Sequence, residues 1–190
     1  MEYTKLGNSG IEVSKLCLGC MSFGDPASKM HAWTLNPEES EKIIKHALDL
    51  GINFFDTANG YSAGTSEEYL GRAVKNNVAR DKVVLASKVY FNEGHLSKAA
   101  INREIEGTLK RLGTDYLDLY IIHRFDYGTP IEETMEALLG GRHHAQQNGY
   151  DGARKVRLHR RAGQGDFCQN LRIGPKVWRN HDGNNLCMAL

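Results

Sequence analysis

The sequence predicts an α/β fold built on a parallel sheet, and three observations predict it. Four short β-prone runs, at 15–19, 52–56, 82–88 and 116–123, are each followed by a stretch with helical apolar spacing. The strand-plus-helix unit recurs every 30 to 35 residues or so, the length of a βαβ step. The runs are largely apolar, as strands are when helices cover a parallel sheet.

Each element has a local reason. Tyr3 to Leu6 and Ile11 to Val13 flank L-G-N-S-G and read as an N-terminal hairpin. Lys15 to Gly19 is a short strand, and the C-M-S-F-G that follows has small residues that let a ligand approach the backbone. After a long loop, 25–36, Asn36 is placed to cap a helix that opens Pro37-Glu38-Glu39. Ile43, Ile44, Ala47, Leu48 and Leu50 form its stripe, and Gly51 ends it. The next strand closes at Asp56 and hands over to a turn carrying Tyr61. A helix from Ser66 to about Asn76 leads to K-V-V-L-A-S-K, which ends on Lys88. The helix 98–112 has Ile101, Ile105, Leu109 and Leu112 at helical spacing and stops at Gly113. Y-L-D-L-Y-I-I-H then ends on His123, and a last helix starts after Thr129-Pro130.

Asp56, Lys88 and His123 therefore stand at the C-terminal ends of successive strands, the edge where parallel α/β folds bind ligands. Asp56 by itself reads equally well as a turn cap; three ionisable strand ends plus Tyr61 favour a site. A phenol ordinarily titrates near 10, too high to donate readily at pH 7, and an adjacent ammonium favours the phenolate. Asp56 would keep Lys88 charged and aimed, and His123 would either orient a carbonyl oxygen or help the phenol transfer its proton. Such a set suits protonation of an oxyanion as hydride reaches a carbonyl carbon. None of the four residues carries hydride, so the chemistry calls for a nicotinamide cofactor.

Composition narrows the class. The 190 residues are 41% apolar and 25% charged, ordinary for a globular chain. A net charge of +1 gives no argument for nucleic acid or a membrane surface, and oligomeric state stays open. Four scattered cysteines suit a reducing cytoplasm. Cys17 and Cys20 read as packing residues, and no metal site is expected, His143-His144 lacking further ligands. Arg124 reads more readily as half of a salt bridge than as a substrate contact; Trp33 suits either a pocket wall or a pin for its loop.

From Tyr3 to Leu138 the chain resembles the aldo-keto reductase family. The resemblance lies in L-G-C-M-S-F-G, F-F-D-T-A-N-G-Y, S-E-E-Y-L-G-R-A, K-V-V-L-A-S-K, L-K-R-L-G-T-D-Y-L-D-L-Y-I-I-H and P-I-E-E-T-M-E-A-L. It implies the N-terminal half of a (β/α)8 TIM barrel closed at its base by the hairpin. It also implies NADP(H)-dependent, reversible reduction of a small aldehyde or ketone. The family's catalytic tetrad then falls on Asp56, Tyr61, Lys88 and His123. Tyr61 would be the acid, Lys88 and Asp56 its tuning pair, and His123 the orienting group. Asp56, on its nicotinamide side, and Met21 are the implied cofactor contacts. The run around Tyr61 is most similar to aryl-alcohol-dehydrogenase-like members, many of which act on aromatic or secondary-metabolite carbonyls.

The resemblance stops near residue 139. Residues 1–139 carry a net charge of −5 and residues 140–190 a net +6. The second stretch also holds 8 of the 20 glycines and no strand or helix pattern of useful length. The expectation is a partial barrel over 1–139 and an irregular basic tail over 140–190, produced by a change of reading frame or by unspliced sequence. The alternatives are a catalytically inactive remnant of such an enzyme, or a small interaction protein using the basic tail on an acidic partner. In this family most phosphate, adenine and nicotinamide contacts come from the C-terminal half, which the chain does not match.

Overall fold

The computed structural model describes residues 1–140. The expectations placed on the tail, on His143-His144 and on Cys168 and Cys187 lie outside the described residues. Strands β1 (Tyr3–Lys5) and β2 (Glu12–Ser14) pair antiparallel, Tyr3 opposite Ser14, and make the predicted hairpin. Strands β3 (Cys17–Gly19), β4 (Phe54–Asp56), β5 (Val84–Val89) and β6 (Leu119–Ile122) form one parallel sheet in chain order. Helices α1 (Pro37–Asp49), α2 (Thr65–Asn77) and α3 (Lys98–Leu112) are the crossovers, and α4 (Ile131–Gly140) follows β6. A doubly wound sheet reverses its strand order at a switch point. Here the order never reverses, so the sheet is four successive β/α units of a (β/α)8 wall.

Local chemistry sets the element ends. The Asn36 side chain accepts from the Glu39 amide at 2.9 Å and Pro37 takes the first helical position, as the sequence predicts. Helix α2 departs from expectation. It starts at Thr65 behind Gly64, while the Ser66 hydroxyl donates to the Cys20 carbonyl at 2.7 Å instead of capping. Strands β4 and β6 are shorter than the apolar runs that predict them, because polar side chains take over at their lower ends. Asn53 accepts from the Ser14 amide and donates to the Glu12 carbonyl, fastening the hairpin to the sheet. Asp118 accepts from the Leu85 amide at 2.9 Å and from Arg80 at 2.8 Å.

The sheet divides the core in two. Its outer face sends Phe55, Leu85, Val89, Tyr120 and Ile122 into a large cluster with Ile44, Leu70, Val74, Ile101, Leu109 and Leu112 of the helices. Burying each such side chain contributes about 1.5–3 kcal/mol. The inner face holds a smaller cluster of Ala86, Leu119 and Ile121, with Phe54 and Leu6 packed on it. Cys20 is fully buried, as expected of a packing residue, but Cys17 is exposed; its strand has one neighbour among the described residues. No helix among the described residues is long and apolar enough to cross a membrane.

Candidate active site

Register decides which side chains meet. Asp56 lies opposite Ala86, and Lys88 opposite Ile121. Side chains alternate faces along a strand, so Phe54 and Asp56 share the inner face, as do Ala86 and Lys88, and Leu119, Ile121 and His123. Each of these strands thus has apolar residues low on the inner face and an ionisable one at its upper end. His123 stands one residue past β6, yet its amide still donates to the Val89 carbonyl at 3.0 Å.

The four predicted residues converge. The Lys88 Nζ donates to Asp56 Oδ2 at 2.7 Å, to the Thr57 carbonyl at 2.9 Å and to Tyr61 Oη at 3.2 Å. An ammonium has three protons, and all three are placed. Tyr61 Oη accepts from the ammonium, so its own proton points away from Lys88. The Tyr61 and His123 rings meet edge to face, centroids 5.6 Å apart. Asp56 is not the turn cap that its position allows: Oδ2 is given to Lys88, and the buried Oδ1 has no partner among the described residues.

The electrostatics follow from this packing. Burial lowers the Lys88 pKa, but Asp56 and the hydrogen bonds to it and to Tyr61 outweigh burial and leave it raised. Lys88 is therefore charged throughout the neutral range. Burial, then the positive charges of Lys88 and Arg124, lower His123 to about 4. At pH 7 His123 is a neutral imidazole, one nitrogen of which, Nδ1, is buried without a partner among the described residues.

Several supporting residues carry no sequence signal of their own. Thr57 Oγ1 lies 3.0 Å from Ser66 Oγ, which donates to the Cys20 carbonyl, and this chain fixes the Thr57 carbonyl that Lys88 uses. Asn59 donates to Asn92 and to Glu104, both at 3.0 Å, tying the Tyr61 loop to the loop after β5 and to α3. On the opposite face of β5, Ser87 donates to the fully buried Glu67, which also takes Arg111 Nε at 2.6 Å. After Tyr61 the backbone makes two left-handed non-glycine steps, Ser62 (φ 47°) and Ala63 (φ 55°). Only contact order and packing create these features, so single-residue patterns do not reveal them.

The remaining candidates sort as follows. Met21, 40% exposed, lies in the loop after β3. Trp33 is half exposed and stacks on His31 with centroids 4.1 Å apart, a loop-bracing role. Arg124 makes no salt bridge among the described residues, contrary to expectation. It lies instead with Cζ 5.2 Å from the Phe91 ring centroid, while Asp126, the carboxylate of the same loop, accepts from the Leu96 and Gly128 amides and the Thr129 hydroxyl.

A parallel β/α wall whose upper rim carries a lysine bridging a carboxylate and a tyrosine has the architecture of the (β/α)8-barrel class. The family model for the aldo/keto reductase family matches residues 15–144, and the chain belongs to that family. Among curated relatives it is 42% identical over 162 residues to versiconal hemiacetal acetate reductase of Aspergillus parasiticus, covering 73% of this chain and 46% of that protein. It is 40% identical over 166 residues to aldo-keto reductase AMT2 of Alternaria alternata, covering 72% and 45%. Among solved structures, the thermostable aldo-keto reductase Tm1743, in complex with the inhibitor epalrestat, superposes with a TM-score of 0.65 at 36% identity, covering 77% and 50%. The holo form of aldo-keto reductase AKR11C1 from Bacillus halodurans gives 0.63, also at 36%, covering 74% and 46%. The chain spans about half the length of the relatives it matches, and that partial coverage fits an N-terminal segment.

Proposed function

We propose that these residues form the proton-transfer half of an NADP(H)-dependent carbonyl oxidoreductase site acting on a small aldehyde or ketone, or on the corresponding alcohol in reverse. The observation that supports it is the Lys88 ammonium, shared between Asp56, the Thr57 carbonyl and Tyr61 Oη. Two free cysteines at 17 and 20 are in keeping with a cytoplasmic setting.

The residues present fit a nicotinamide dinucleotide. Asp56 Oδ1 is a buried acceptor without a donor among the described residues, suited to a hydroxyl of the cofactor. Met21 would add apolar contact from the neighbouring loop. When bound, the dinucleotide supplies the hydride. Tyr61 gives its phenolic proton to the carbonyl oxygen. The Lys88 ammonium, 3.2 Å from Oη, stabilises the negative charge left there. Asp56 keeps that ammonium charged and directed. His123, neutral at pH 7, donates a hydrogen bond that holds the carbonyl oxygen near Tyr61.

The test is a chimera in which residues from 140 onward are replaced by the C-terminal half of a close relative. It should reduce aldehydes with NADPH. Tyr61→Phe should lower kcat by 100-fold or more, the usual scale of a lost general acid, and leave the NADPH Kd within about twofold. A Tyr61→Phe chimera that keeps full turnover would refute the assignment.

A further inference from the structure

The site described above handles a proton and leaves open what substrate it would accept. Three loops answer part of that question. Phe91, in the loop after β5, is 49% exposed although it touches the site: its ring meets His123 edge to face, centroids 4.9 Å apart. It reaches that position because residue 60, next to Tyr61, is glycine. A Cβ on Gly60 would lie 2.9 Å from the Phe91 Cβ. One aromatic ring, half in solvent, thus forms a wall beside the imidazole and the loop that carries Tyr61.

Arg124, in the loop after β6, lies against the same ring at 5.2 Å and is exposed. A guanidinium held by a ring face keeps its fork of donors free for a planar anion. Arg124 forms no ion pair among the described residues, whereas Arg80 is spent on Asp118 and Arg111 on Glu67. Arg124 is also close enough to lower the His123 pKa, so its charge is felt at the site.

We propose that Phe91 and Arg124 are specificity-determining residues that select a carbonyl compound bearing a planar ring and a carboxylate. Phe91 packs on the ring and Arg124 takes the carboxylate through paired hydrogen bonds. Arg124 and His123 both rest on one phenyl ring, so a single substituted ring is enough to span from the guanidinium to the imidazole. This rests on the carbonyl-reductase reading for the reaction, but the recognition can be measured without turnover.

The experiment compares two probes of one shape, 4-(hydroxymethyl)benzoate and its methyl ester, by calorimetric titration of the full 190-residue chain. The acid should bind about three- to tenfold more tightly, the range of one partly exposed charge-assisted pair, and the advantage should shrink in 0.5 M salt. Arg124→Gln should abolish the advantage and leave the ester's affinity within about twofold. Phe91→Ala should weaken both probes. Equal affinity for acid and ester, an Arg124→Gln chain that keeps the preference, or binding of neither probe at millimolar concentration would overturn the proposal. So would an Arg124→Gln change that weakens NADPH binding in the chimera and leaves the acid-to-ester ratio intact, since Arg124 would then serve a cofactor phosphate. Turnover by the chimera without the acid preference refutes this inference alone; the acid preference without turnover refutes the reaction alone.

Discussion

At the scale of single residues, charge is placed by burial and partners. His123 has its pKa lowered from 6.5 to about 4 by burial first and by Lys88 and Arg124 next. Between those values an unfolded chain takes up a proton that the folded imidazole refuses. The resulting stability is complete above pH 6.5 and is lost as pH falls towards 4. Urea unfolding should therefore become easier across that window, and His123→Gln should flatten the dependence. An NMR titration should place the His123 midpoint near 4; a midpoint at 6 or above contradicts the burial argument. Ala63 offers a second test. It is exposed and left-handed at φ 55°, a conformation that costs a non-glycine residue about 1 kcal/mol or more. Ala63→Gly should stabilise the chain by about 0.5 kcal/mol, the opposite of the usual sign for glycine. Denaturant midpoints decide it.

At the scale of elements, the helices are fitted together more tightly than their apolar stripes imply. Gly71 on α2 faces the backbone of Leu112 at the end of α3, and a Cβ there would lie 2.3 Å from the Leu112 carbonyl oxygen. Backbone cannot move aside as a side chain does, so Gly71→Ala should destabilise by about 2–3 kcal/mol. Alanine elsewhere on a helix favours the fold, which makes the expected sign informative; an unchanged unfolding midpoint would mean that the two helices are not in this contact. Near this junction Glu67, Ser87 and Arg111 join α2, β5 and α3 through one buried carboxylate. Ser87 immediately precedes Lys88, so the strand is held from behind at the point where it presents its ammonium.

At the scale of the whole molecule, four parallel units bring Asp56, Lys88 and His123 together with Tyr61 on one rim, and the inner apolar face beneath them carries Phe54, Ala86, Leu119 and Ile121. Dinucleotide affinity depends largely on phosphate and adenine contacts, and the cofactor contacts proposed above within the described residues are Asp56 and Met21. The 190-residue chain should bind NADPH at least tenfold more weakly than the chimera with a relative's C-terminal half. Fluorescence titration of both proteins measures this. Equal micromolar affinities would mean that the chain's own residues complete the cofactor site.

The sequence by itself determined the element order, the caps at Asn36 and Gly113, and the placing of Asp56, Lys88 and His123 at strand ends. Each of these depends on neighbours a few residues away: apolar period, capping chemistry and the apolar-to-polar change where a strand stops. Tertiary structure alone decided that the three strand ends share one face with Tyr61, because a one-residue change of register would turn a side chain to the other side of the sheet. It also decided the partners of Thr57, Asn59 and Glu67, and set Arg124 on Phe91 instead of on a carboxylate. Those contacts join residues distant in the chain, and a pattern of local periods and propensities holds no record of which distant groups will meet.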